Sequence, residues 1–304
     1  MRWRIAKDLD ATIRLQECSV VITGDLIEDR HRFLPENAHN AESVFNCHYD
    51  HNTMSFTING KPHDDDPLRS ASQFIDNSID LTGRIALDAT ALDFPSLVIL
   101  LLTIHKKGHN GLDIYYVEPE KYKKMDAFGS KYDLSDRIGG IQSIPGFTRQ
   151  YDPDLKQDLV VFLGFEGSRV FEIIEELETS NLAGITPVIP LPSHKAGWFN
   201  ITIQQNIDTL INRDSRAKLK RISANDPFSV YNFLMDRQKK YHATSQLVVA
   251  PLGTKPHSLG VIIFGIYSLS SVILFDFPVI KNRRAMGIGG INSYRLDGII
   301  GRNN

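Results

Sequence analysis

Short apolar runs rich in β-branched residues alternate along this chain with stretches whose apolar positions recur at intervals of three and four. The first period is that of a strand and the second that of a helix, and their alternation is the signature of an α/β architecture. The runs predict strands over 19–23, 53–59, 84–88, 112–117, 158–163, 186–190, 246–250 and 272–275. The helical stretches predict helices over 37–44, 68–77, 94–107, 169–179, 199–211, 227–242 and 258–267. The runs LVVFLG and LVVA carry no polar position, as parallel strands covered on both faces require. Residues 48–67 differ: MSFTING alternates polar and apolar positions and turns through Asn59-Gly60 into His63-Asp64-Asp65-Asp66, the pattern of an antiparallel hairpin or edge strand. The expected fold class is α/β, with two Rossmann-like halves, mainly parallel sheets and this hairpin outside the main strands.

Residues 126–154 break the rhythm. Gly129, Gly139-Gly140, Pro145-Gly146 and Pro153 punctuate a polar stretch without helical period, so an N-terminal half over 1–125, a connection over 126–154 and a C-terminal Rossmann-like half over 155–304 are expected. Toward the C-terminus, Lys281-Asn282-Arg283-Arg284 precedes Met286-Gly287-Ile288-Gly289-Gly290, Tyr294 and Arg295. This glycine-rich segment reads either as a flap over a ligand or as a flexible edge.

Composition narrows the classes. With 304 residues and 42% hydrophobic positions the chain can bury a full core, and a formal charge of −2 marks no general affinity for nucleic acid. Two cysteines, Cys18 and Cys47, are too few for a disulfide framework, and the first residues lack the apolar core of a signal peptide, so a cytoplasmic protein is expected. The oily run 95–104 is too short to span a bilayer, and no membrane contact is expected.

Candidate chemistry lies just past the strands, where ligands of open parallel sheets collect. The four loops are Thr23-Gly24-Asp25, Asp88-Ala89-Thr90, Gly164-Phe165-Glu166-Gly167-Ser168-Arg169 and Gly253-Thr254-Lys255-Pro256. The last is the most specific. A strand breaks into a glycine, a hydroxyl, a lysine and a helix-starting proline, which suits a phosphate or another anion. Gly164 to Arg169 resembles a phosphate-binding turn, yet neither GxxxxGK[ST] nor GxGxxG is present. Each loop also has a plain structural reading, as a helix cap or a tight turn. His31, His39, Cys47, His48, His51 and His63 lack the paired spacing of structural zinc and read as exposed histidines, so no metal is expected. The basic run 213–221 has no interleaved aromatic residue and reads as a solvated face or a contact with an acidic partner. Neither a cofactor nor a catalytic residue is assigned.

Asp88-Ala89-Thr90 after an early strand, paired with Gly253-Thr254-Lys255-Pro256 after a late one, resembles the CRISPR-associated Rossmann-fold (CARF) sensor domains and related prokaryotic antiviral-defence proteins. That resemblance covers residues 84–279 at most. It implies a nucleotide or oligonucleotide ligand, a homodimer and an output through an effector partner. It further implies that Thr90 and its backbone cradle the ligand and that Thr254 and Lys255 hold phosphate. The expected ligand-binding set is Asp88, Thr90, Gly164, Glu166, Gly167, Ser168, Arg169, Gly253, Thr254 and Lys255. Two alternatives stay open. One is an enzyme acting on a phosphorylated metabolite or nucleotide, with Asp88 or Glu166 as general base and Lys255 and Arg169 neutralising phosphate. The other is a ligand-free structural subunit of a defence complex.

Overall fold

The computed structural model describes residues 2–122, 135–138, 140–142, 144–147, 150–178, 181–212, 218–241, 243–268, 270–280 and 285–297. Residues 126–134 of the expected connection, 213–217 of the basic run and 281–284 lie outside them. The chain forms two compact units, one of residues 1–123 with 282–304 and one of residues 124–281. In chain order the first unit holds β1 (Arg2–Lys7), α1 (Asp8–Leu15), β2 (Cys18–Thr23), α2 (Phe33–Asn37), β3 (Ser43–Asp50), β4 (Ser55–Ile58), β5 (Lys61–Pro62), α3 (Pro67–Ser78), β6 (Arg84–Asp88), α4 (Phe94–Lys106) and β7 (Leu112–Tyr122). The second holds β8 (Ser135–Ile138), β9 (Lys156–Phe162), α5 (Gly167–Glu178), β10 (Leu182–Pro190), α6 (Trp198–Gln205), α7 (Ile207–Asn212), β11 (Lys220–Ile222), α8 (Pro227–Tyr241), β12 (Ser245–Pro251), α9 (Lys255–Tyr267), β13 (Val272–Ile273) and β14 (Pro278–Ile280). The chain then returns to the first unit with β15 (Ala285–Asp297).

Both units are α/β, as expected for Rossmann-like halves, each built on a parallel sheet centre. The first sheet runs β1-β15-β7-β6-β2-β3-β4-β5. Its parallel centre, β7-β6-β2-β3, is extended by the antiparallel β4 and β5 on one side and by the antiparallel β15 on the other. The hairpin expected near 48–67 is β3-β4-β5. Its turn places Asn59 at φ 49° and Gly60 at φ 77°, the left-handed pair that a two-residue hairpin turn needs. The second sheet runs β11-β10-β9-β12-β13, all parallel. The apolar runs in β9 and β12 are buried along their lengths, with Leu159, Val161, Val248 and Ala250 packing against Val170, Ile173, Ile174 and Leu177 of α5.

Helix starts follow from capping. Asp66, last of the acidic run, accepts from the Arg69 amide ahead of Pro67; Asp93 accepts from the Ser96 amide ahead of Pro95. Three readings are corrected. The helix expected over 37–44 ends at Asn37, and from Ser43 the chain is strand, because the residues beyond alternate, with Cys47 and Tyr49 buried. The helix expected over 199–211 is two, α6 and α7, with Asn206 between them. The glycine-rich C-terminal segment is neither flap nor loose edge: β15 is paired on both sides, with β1 and β7, and Arg295 binds the fully buried Asp113 through Nε (2.9 Å) and Nη2 (2.9 Å).

Candidate functional site

Strand order decides where each sheet can open to a ligand. In the second unit the strands count, in sequence, β9, β10, β11, β12, β13, while in space they run β11-β10-β9-β12-β13. The winding direction therefore reverses between β9 and β12. At such a reversal the connections leave toward opposite sides and a crevice opens past the carboxyl ends of the two strands. The two loops found there are Gly164 to Arg169, after β9, and Gly253 to Lys255, after β12. In the first unit the parallel order β7-β6-β2-β3 reverses between β2 and β6. Thr23-Gly24-Asp25 and Asp88-Ala89-Thr90 flank that point. The four loops thus form two pairs, one per unit, with Asp88 and Thr90 in the first unit and the other expected ligand residues in the second.

In the first unit the predicted polar groups are consumed by the fold. Asp88 is fully buried. Its carboxylate accepts from Thr23 Oγ1 (2.9 Å) and from the amides of Thr90 (2.9 Å) and Ala91 (3.3 Å). Burial pushes its pKa up, opposed by these hydrogen bonds. Thr90, also buried, accepts at Oγ1 from the Val117 amide at 2.9 Å. Both side chains stitch β2, β6 and β7 together.

In the second unit the loops are drawn close. A Cβ on Gly164 would lie 2.5 Å from the Leu252 carbonyl oxygen, so only glycine lets the two strand ends approach this far. Gly167 begins α5 and the exposed Ser168 follows it. Arg169 is committed elsewhere: its Nε and Nη2 bind the fully buried Asp276 at 2.6 Å each, and Nη1 lies 3.7 Å from Glu166. A phosphate contact from Arg169 would have to compete with two carboxylates. Thr254 caps α9, accepting from the His257 amide at 3.3 Å, and donates to the Ala224 carbonyl at 2.8 Å. His257 Nε2 meets the Ser223 carbonyl at 2.9 Å. The connection after β11 is thereby tied to the start of α9, and the Thr254 hydroxyl is spent on that tie. Lys255, half-buried, is the first residue of α9.

These placements make the crevice a candidate site for an anion. The N-termini of α5 and α9 both follow the crevice strands, so their partial positive charges fall at its two walls. Lys255 adds a full charge. Within the fold, Gly164 sets the close approach of the two strand ends, Thr254 and Arg169 are tied to neighbouring elements, and Asp88 and Thr90 lie in the first unit.

Sequence reasoning passed over a group of rings beside this crevice. The Phe165 ring lies 5.8 Å from that of Trp198, at 83°, and the His194 ring 6.4 Å from it, at 82°. Phe165 follows β9, whereas His194 and Trp198 lie between β10 and α6. The signal available was a tryptophan and a histidine inside the polar stretch LPSHKAGW. Among the described residues no cluster of three His, Cys, Asp or Glu is placed to hold a metal, and no helix is long and apolar enough to cross a membrane. No protein-family model matches the chain, and no curated protein matches it.

Proposed function

We propose that this protein is a nucleotide- or nucleic-acid-sensing, CARF-like component of a prokaryotic antiviral defence system, acting with a partner effector. The ligand occupies the crevice of the second unit. One observation supports the reading: the strand order reverses between β9 and β12, and α5 and α9, the latter with Lys255 as its first residue, begin just after those two strands. Such a place favours a phosphorylated ligand, through amide donors, helix dipoles and an ammonium. Sensing, dimer formation and an effector partner come from the resemblance in the DAT and GTKP loops.

Calorimetry with mononucleotides and with linear and cyclic oligonucleotides tests this. The chain should bind at least one of them. Lys255→Ala should weaken that binding about tenfold or more, as loss of a charge-assisted bond does, with little change in melting temperature. Binding to none of these probes, or equal binding by the variant, rejects the reading.

A further inference from the structure

Five side chains beside the crevice have no role in holding phosphate. The rings of Phe165, His194 and Trp198 converge there from the β9 and β10 connections. Two buried acceptors without a hydrogen-bond donor lie by the glycines of the crevice loops. Asn206 uses both protons of Nδ2, toward the carbonyls of Gly164 (2.9 Å) and Thr202 (2.7 Å). This fixes the amide orientation and leaves Oδ1, buried and unpartnered, beside the β9 loop. His257 points Nε2 at the Ser223 carbonyl, a contact that requires the proton there in the neutral ring. Its Nδ1 is then an acceptor, also buried and unpartnered, 3.3 Å from the place a Cβ would occupy on Gly253. Buried acceptors without donors are costly and rare in a finished fold. These two flank the same two glycines, on either side of the strand reversal.

We propose that the connection between β10 and α6 forms the ring-recognition half of the crevice. An aromatic base lies against Trp198, and N–H or O–H groups of the ligand, directly or through one water, end on Asn206 Oδ1 and His257 Nδ1. The inference rests on the crevice being the ligand site and adds which part of the ligand is read there. Indole is the side chain best suited to a base face, and stacking of this kind tolerates any base. Donors reaching the acceptors then distinguish bases that carry an amino group from those that do not.

The two tryptophans of the chain are Trp3 and Trp198, so Trp3→Phe leaves a single indole reporter. In that background AMP should quench the Trp198 emission and bind about tenfold more tightly than ribose 5-phosphate, which lacks a ring. Trp198→Ala should bring the two ligands within about twofold of each other, while Trp198→Phe keeps most of the difference. If Trp198→Ala leaves the AMP preference intact, ring recognition lies elsewhere and this inference is overturned, while the crevice stands provided Lys255→Ala weakens both ligands. If neither ligand binds, the crevice reading and this inference fall together.

Discussion

His257 is a titratable group sealed inside the second unit. It is wholly buried, edge-on to Phe162 with ring centroids 5.3 Å apart, and burial lowers its pKa to about 4 from the ordinary 6.5. The unfolded chain therefore takes up a proton near pH 6.5 that the folded chain refuses until about pH 4. Stability supplied by the neutral ring is full above pH 6.5 and is lost as the pH falls toward 4, for a total of about 3 kcal/mol. Urea unfolding at pH 7, 5.5 and 4 should show this decline, and His257→Gln should flatten it. An equal slope in the variant would assign the acid sensitivity to carboxylates instead. Among the candidate residues, Gly253 and Lys255 drew notice in the sequence because glycine and lysine at a strand end have few packing uses. The ion pair that holds Arg169 was not legible. Its partner, Asp276, lies 107 positions away, and no local pattern announces a pairing at that distance.

Strand and helix positions came out of the periodicity wherever an element is buried on one or both faces. Residues 84–88 and the core of 94–107 fall on β6 and α4, since runs this apolar have one way to leave water. Elements held by partners were harder to see. β1 is charged and short, and β15 is broken by Gly287, Gly289 and Gly290; each is a strand because a neighbour supplies its hydrogen bonds, not because its own residues favour one. The approach of β9 to β12 is an element-level property with a direct test. Gly164→Ala places a methyl 2.5 Å from a backbone carbonyl, which neither strand can yield without shifting. It should cost about 1–3 kcal/mol, read as a lower urea midpoint at unchanged slope. A wild-type midpoint would mean that the two strand ends part easily and that the crevice is wider than drawn.

The C-terminal strand closes the first unit, although more than 150 residues of chain intervene between β7 and β15. Because β15 lies between β1 and β7, its removal bares one edge of β7 and strips β1 of its partner. A chain ending at residue 281 should lose hydrogen-exchange protection in β6 and β7 while β9 and β12 stay protected. Retained protection in β6 and β7 would show that the parallel centre stands without β15.

Fold class, the hairpin and the positions of the four strand-end loops were readable from residue order, because period, turn chemistry and strand-end composition are local and water acts on them locally. Which loops meet was not. Pairing Gly164 with Gly253 and separating both from Asp88 depends on strand order, and strand order is set by which apolar faces pack once crossovers close. The same holds for Trp198, Asn206 and His257. Their shared place beside one crevice is a consequence of winding direction, which no stretch of this chain encodes alone.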